Sequence, residues 1–174
     1  MLEHQAHRVM ALTEWEERWQ NNRIGFHQPA VHTMLKTHLE EVNSEKNIFL
    51  YRCDLFSFSS SVAGQFGAIW DRGSLVAINP KDRERYAGLI VSLMAADCRY
   101  LLDTLLYDPE KYGGPPFLVP DAQVQSLFGS CCDVKHLQSV DALTDRTRAW
   151  GLDSLTENVH LITLKDAGAQ TQPR

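Results

Sequence analysis

The sequence predicts an α/β domain with a mainly parallel sheet and an antiparallel pair of strands at one edge. Apolar strand-like runs alternate with amphipathic helical segments between residues 47 and 128, an order typical of parallel sheets. Two further extended runs, near 132–141 and 158–165, lack a strong helix between them and are therefore expected to pair antiparallel. The length of 174 residues predicts a single domain, with disordered ends at 1–11 and 166–174.

Two helices are predicted before the first strand. Thr13 and Glu16 have the spacing of a capping box, with Thr13 as the N-cap. The polar, Gly- and Pro-containing segment 21–29 interrupts this helix. Apolar residues at helical spacing predict a second helix over 31–42, and the apolar run NIFLYRC predicts a strand over 47–53.

The next elements continue the alternation. A strand is predicted over 66–70, and Asn79 with Pro80 predicts the N-cap and first position of a helix. We expect its buried face to consist of Tyr86, Leu89, Ile90, Leu93 and Met94. A third strand is predicted over 99–107 and a short helix over 121–128.

Composition and charge exclude several classes of protein. The chain has 17 Lys and Arg against 22 Asp and Glu, a net charge of −5, which disfavours binding to nucleic acid. It contains no apolar run long enough to cross a membrane and no N-terminal apolar segment of a secretory signal. The four cysteines form no C-x-x-C pair and the histidines lack ligand spacing, so we expect neither a disulfide framework nor a metal site. We therefore expect a protein of a reducing, cytoplasmic compartment.

Polar residues that follow predicted strands are candidates for a binding site, because ligands of open α/β sheets bind at the carboxyl ends of strands. Asp54-Leu55 follows the run 47–53, and its carboxylate is suited to an exocyclic amine or a ribose, or alternatively begins a turn. Arg72 follows the run 66–70 and offers a planar set of donors to an anion. Alternatively, Arg72 forms an ion pair with Asp71 or Asp82. Common glycine-rich phosphate-binding and hydrolase motifs are absent.

Three further segments are candidates for a ligand site. Arg146 lies in the basic segment 145–151, which is alternatively a solvated loop. The aromatic residues Trp15, Trp19 and Phe26 are suited to covering a flat ligand, or alternatively pack in the core. The segment 113–117, GGPPF, is suited to a rigid wall or lid, or is only a turn.

Four sequence runs together resemble the thiopurine S-methyltransferase family. They are W-x-x-x-W…I-G-F-H-Q-x-x-V-H, I-W-D-R-G-S-L-V-A-I-N-P-x-D-R-x-R-Y, Y-D-P…G-P-P-F-x-V-P and D-R-x-R-A-W-G. The resemblance extends from about Leu12 to Leu164. It implies a class I methyltransferase (Rossmann-like) fold and transfer of the methyl group of S-adenosylmethionine to the sulfur of an aromatic or heterocyclic thiol.

The resemblance also implies roles for particular residues. The positions that match cofactor-binding residues of the family are Trp15, Trp19, Gly25, Phe26, Asp54, Leu55 and Arg72. Among these, Asp54 and Leu55 match the positions that contact the adenine. Phe26 and Arg146 match substrate-binding residues, and Arg72 and Arg146 are the implied catalytic pair.

One segment of the family pattern is missing from this chain. The family's run F-x-P-L-C-G-K-x-x-x-M follows the second helix, whereas here residues 39–46 lead directly into 47–53. About two βα units, with the glycine turn and the acidic ribose ligand, are therefore expected to be absent. This leaves two main hypotheses open: an active S-methyltransferase, or a catalytically impaired splice or deletion form that binds the cofactor poorly. An unrelated α/β binding module is a third.

Overall fold

The computed structural model describes residues 53–165, together with Thr13, Glu17, Gln20, Asn21 and Tyr51. The strands are β1 (Phe66–Arg72), β2 (Met94–Leu106), β3 (Cys132–Asp141) and β4 (Thr156–Leu164). The α-helices are α1 (Ser60–Ala63), α2 (Arg83–Leu93), α3 (Asp121–Phe128) and α4 (Asp145–Arg148). Short 3₁₀ helices cover Leu55–Ser57 and Pro80–Asp82. The prediction of an α/β sheet is confirmed, and α3 and β3 have the predicted bounds.

The strand order of the described sheet is β1-β2-β4-β3. β1 and β2 are parallel, as their predicted alternation with a helix requires, and β3 and β4 are antiparallel as expected. However, β4 lies between β2 and β3 and is antiparallel to both. The described part of the sheet is therefore mixed, and the prediction of a mainly parallel sheet is wrong for these residues.

The burial of β3 and β4 explains this order. The residues of β4 from Glu157 to Ile162 are all buried, a pattern that suits a strand with neighbours on both sides. β3 is mostly exposed or half-buried, in keeping with an edge strand. The sequence prediction recognised the pairing of the two strands but not which of them is internal.

β2 begins five residues before the predicted start at residue 99, directly after α2. Met94, which we expected on the helix, has an extended backbone and is buried as the first residue of the strand. The pairing of β1 with β2 shifts register between Phe66 and Ala68. This irregularity accommodates the early residues of β2, which include the polar Asp97.

The two faces of the sheet carry different cores. On one face, α2 and α3 pack against the strands through residues that include Tyr86, Phe128, Tyr100 and Leu102. On the other face, a smaller cluster is formed by strand residues: Leu101, Val159 and Leu161, with Ala68, Trp70, Leu137 and Val140 packed against them. Because successive side chains of a strand point to opposite faces, neighbours in sequence belong to different cores.

Several sequence predictions fall outside the described residues. These are the second helix over 31–42, the terminal segments 1–11 and 166–174, and the candidate residues Trp15, Trp19, Gly25 and Phe26. Most of the strand predicted over 47–53 also lies outside them, and its described residues, Tyr51 and Cys53, are not in a strand. Thr13 is itself helical, so its prediction as an N-cap is wrong, while Gln20 is helical and Asn21 lies in a turn, as the predicted interruption requires. Among the helices that the structure describes, none has the length and apolar character needed to cross a bilayer.

Candidate functional site

Asp71 fixes the loop that follows β1. Its Oδ1 accepts hydrogen bonds from the backbone N–H groups of Ser74 at 3.0 Å and Leu75 at 3.4 Å. Its Oδ2 accepts bonds from the hydroxyls of Tyr86 at 2.6 Å and Tyr100 at 3.0 Å. The side chain therefore ties the loop to α2 and β2 from within the core.

The protonation of Asp71 is governed by two opposing effects. Burial raises the pKa of this carboxyl above its ordinary value, while the four hydrogen bonds lower it. In turn, burial beside Asp71 raises the pKa of both the Tyr86 and the Tyr100 hydroxyl, which keeps them as donors. The aspartate of the W-D-R-G run is thus a structural anchor that turns away from Arg72.

Arg72 lies at the carboxyl end of β1, on the opposite face from Asp71. Its Nε is 3.3 Å from Oδ2 of Asp103 and 3.5 Å from Oε1 of Glu157. Asp103 is the direct cross-strand partner of Arg72, and Glu157 belongs to the next strand, β4. The ion pair that we considered with Asp71 or Asp82 is therefore wrong, because Arg72 pairs across strands instead.

The two carboxyl groups beside Arg72 differ in their surroundings from an ordinary surface ion pair. The Asp103 side chain is only 4% exposed, whereas that of Arg72 is 25% exposed. Burial and a hydrogen bond to Glu157 raise the pKa of Asp103 to about 10, and the charge of Arg72 opposes this rise. Oδ1 of Asp103 is buried and has no hydrogen-bond partner among the described residues.

Arg146 belongs to the short helix α4 and lies over an aromatic row. Its guanidinium carbon is 5.8 Å from the centre of the Trp150 ring, a cation–π distance. The Trp150 ring stacks on Tyr112 at 4.7 Å, and Tyr112 lies 5.8 Å from Tyr107, the residue after β2. Arg146 is exposed, and Thr144 caps its helix, so the predicted solvated loop is an ordered helical turn.

The segment 113–117 is held against its surroundings at its C-terminal end. The Tyr107 hydroxyl donates to the carbonyl of Pro116 at 2.6 Å, and the N–H of Phe117 donates to the carbonyl of Val76 at 2.6 Å. Gly114 has a φ of +76°, and a Cβ there would collide with the buried Phe117 ring. These contacts favour the predicted wall, which is joined to the loop after β1, over a simple turn.

Asp54 and Leu55 form a separate turn. Oδ1 of Asp54 accepts the N–H of Phe56 at 3.0 Å, and Oδ2 accepts the hydroxyl of Ser57 at 3.1 Å. The carboxylate thus caps the 3₁₀ helix Leu55–Ser57, as in the alternative that an aspartate starts a turn. Leu55 is exposed, so its apolar side chain is accessible at this turn.

The structure therefore assembles only part of the predicted site. It brings Arg72 together with Asp103 and Glu157, which sequence reasoning missed, and it places Arg146 over the Trp150 ring. A signal for Asp103 was present, because the aspartate in the apolar run RYLLDTLLY is a charged residue within a predicted strand. The described residues contain no group of three or more His, Cys, Asp and Glu side chains arranged to hold a metal ion.

Comparison with known proteins identifies the family. The family model described as thiopurine S-methyltransferase (TPMT) matches residues 41–165. A probable thiopurine S-methyltransferase of Danio rerio is 41% identical, over 92% of this chain and 98% of that protein. The thiopurine S-methyltransferases of Canis lupus familiaris and Felis catus are each 34% identical, over 92% of this chain and 93% of theirs. The chain belongs to the thiopurine S-methyltransferase family.

Proposed function

We propose that this chain is an S-adenosylmethionine-dependent S-methyltransferase that acts on aromatic and heterocyclic thiols such as thiopurines. Membership of the family and the names of the relatives support this proposal. The observation that carries it is the position of Arg72 at the carboxyl end of β1, where ligands of open α/β sheets bind. We extend the proposal to a class I, Rossmann-like arrangement of the whole sheet.

The chemistry of the acceptor explains the need for a cation. A thiol reacts as its thiolate, so it must lose its proton before or during attack on the methyl group. A guanidinium next to the sulfur lowers the thiol pKa and stabilises the anion, and arginine remains charged at any relevant pH. Arg72 and Arg146 are the proposed residues for this role, with Phe26 as a second substrate contact.

The described residues fit one end of the cofactor. The methyl group would come from the sulfonium of S-adenosylmethionine. The exposed Leu55 offers an apolar surface to the adenine, and each Asp54 oxygen keeps a lone pair beyond its turn hydrogen bond. The other proposed cofactor contacts, Trp15, Trp19, Gly25 and Phe26, lie outside the described residues.

The alternative of a catalytically impaired form is not favoured, because the relatives match nearly the whole chain and carry the name of an active enzyme. The alignments span 227 positions against 174 residues here. This excess supports the expectation that the relatives contain residues that this chain lacks. How the sheet accommodates such a difference is part of the proposal.

The remaining features of the proposal concern partners and location. We propose a monomer that uses a small-molecule thiol and binds neither nucleic acid nor membranes. The net charge of −5 supports the absence of a nucleic-acid partner. All four cysteines are free thiols, which supports a reducing compartment such as the cytoplasm.

Substitution of the two arginines tests the acceptor site. We expect Arg72→Ala and Arg146→Ala each to lower kcat/KM for a heterocyclic thiol by roughly tenfold or more, about 1.4 kcal/mol. The measurement is methyl transfer to a thiopurine, with Arg99→Ala, an exposed arginine on β2, as the control. Wild-type kinetics in both variants would remove the two arginines from the mechanism.

A further inference from the structure

Two carboxyl groups share one guanidinium at the carboxyl end of β1. Arg72, Asp103 and Glu157 come from three adjacent strands and lie on the same face of the sheet. The Arg72 Nε lies within 3.5 Å of both carboxyl groups. Both acidic side chains are strongly buried, Asp103 to 4% and Glu157 to 11% exposure, so water screens their charges little.

The charges of this trio do not balance if both acids are ionised. Within the trio, two buried carboxylates would share a single guanidinium, and the nearby Asp71 of β1 would add to the repulsion. Two buried carboxyl groups that approach the same nitrogen do not both ionise readily, since each charge disfavours the other. A carboxyl group can donate a hydrogen bond to a second carboxyl group only when it is protonated, and burial beside Glu157 raises the pKa of Asp103, which favours its protonated form.

We propose that Asp103 and Glu157 are positioning residues that hold one shared proton, and that this proton keeps the Arg72 site neutral rather than negative. With one acid protonated, the trio consists of a guanidinium, a carboxylate and a carboxylic acid. The carboxylate holds Arg72 by an ion pair at Nε rather than by a hydrogen bond. Neither carboxyl group contacts the reacting atoms.

The consequence for the reaction rests on the proposed function. A thiolate that approaches a neutral Arg72 site meets no net repulsion, whereas ionisation of the second acid would place an additional negative charge behind the arginine. That charge raises the pKa of the bound thiol and weakens the binding of its anion. The shared proton thus determines how strongly Arg72 favours the thiolate.

The stability of Asp103→Asn as a function of pH tests the shared proton without an assay of activity. The Asp103 pKa rises from 3.8 to about 10 in the folded protein, so between these values the folded state holds a proton that the unfolded state has released. The wild type therefore loses stability as pH rises through this window, relative to a variant that cannot ionise. We expect the melting temperature of Asp103→Asn, minus that of the wild type, to rise by about 3 °C per pH unit from pH 5 to pH 9.

The control is Asp97→Asn, which changes an exposed aspartate on the same strand. Its melting temperature minus that of the wild type should not grow with pH. Glu157→Gln is the second variant. It removes the partner that keeps Asp103 protonated. The melting temperature of Glu157→Gln, minus that of the wild type, should also rise with pH. An unchanging difference for Asp103→Asn would overturn the proposal. The proposal would also be overturned if Asp103→Asn melts below the wild type at neutral pH but not at acid pH. That result would mean that Asp103 is ionised and paired with Arg72.

Kinetics separate the positioning role from a purely structural one. We expect kcat/KM of the wild type and of Asp97→Asn to fall at alkaline pH as the pair loses its proton, and this fall to be absent in Asp103→Asn. The same fall in all three proteins would refute the link to the reaction. If the wild type transfers no methyl group, the proposed function fails, while the melting experiment still decides whether the proton is shared.

Discussion

Asp71 and Asp103 lie on adjacent strands of one sheet, and both are buried, yet their surroundings are opposite in kind. Asp71 accepts four hydrogen bonds, from two backbone N–H groups and two tyrosine hydroxyls. Asp103 faces a second carboxyl group and one guanidinium, and one of its oxygens has no described hydrogen-bond partner. The difference arises from the two faces of the sheet, which place consecutive residues in separate environments.

A buried carboxylate that accepts several hydrogen bonds holds the structure together. A buried carboxyl group that lacks such donors is more easily protonated. Donors favour the charged form of Asp71 and compensate part of its burial, whereas Glu157 favours the neutral form of Asp103. Burial raises the pKa of both carboxyl groups, and in our proposal it is the protonation of Asp103 that sets the charge beside Arg72. In the W-D-R-G run, Asp71 thus anchors the fold, and Arg72 is the residue that we propose for the site.

The largest effect in this comparison is expected for Asp71→Ala. The substitution leaves four donors without their acceptor, namely two buried tyrosine hydroxyls and the backbone N–H groups of Ser74 and Leu75, and unsatisfied buried groups cost about 1–3 kcal/mol each. With partial relaxation, we expect unfolding in urea to show a loss of about 3–5 kcal/mol. Asp54→Ala is the control, because this aspartate is exposed and bonds only within its own turn. Equal losses in the two variants would contradict the anchoring role of Asp71.

A smaller effect is expected when one donor to Asp71 is removed. Tyr86→Phe deletes a hydroxyl that bonds Asp71 at 2.6 Å, and Tyr100→Phe deletes one at 3.0 Å. Each variant should lose about 1 kcal/mol in unfolding free energy, with the greater loss for Tyr86→Phe, which has the shorter bond. A greater loss of unfolding free energy for Tyr100→Phe would contradict a stronger contribution from the shorter hydrogen bond.

The fold was largely predictable because its signals are local. Apolar runs and helix starts gave strands and helices near their observed positions, and the pairing of β1 with β2 followed from the helix between them. The internal position of β4 was not predicted, since it depends on burial of the strand from both sides. The start of β2 was also missed. The polar Asp97 is unusual in a strand, and the register shift in the pairing with β1 accommodates it.

The site was less predictable because its contacts are distant in sequence. Arg72 was identified from its place after a strand, but its partners Asp103 and Glu157 lie 31 and 85 residues further along the chain. From the sequence, Asp71 and Asp82 were the candidate ion-pair partners of Arg72. The alternation of side chains along β1 places Asp71 on the opposite face and so excludes it. Asp54 shows the converse case, in which the immediate neighbours Phe56 and Ser57 take up the carboxylate.

The central claim is that this chain methylates a heterocyclic thiol at the Arg72 site, and its most direct test is the detection of the product. The folded full chain is incubated with S-adenosylmethionine and a thiopurine, after calorimetry has given a cofactor concentration that saturates it. We predict the S-methylated thiopurine together with an equal amount of S-adenosylhomocysteine by mass spectrometry, and roughly tenfold less of both with Arg72→Ala. Cofactor-saturated, folded wild type that forms no S-methyl product would contradict the account.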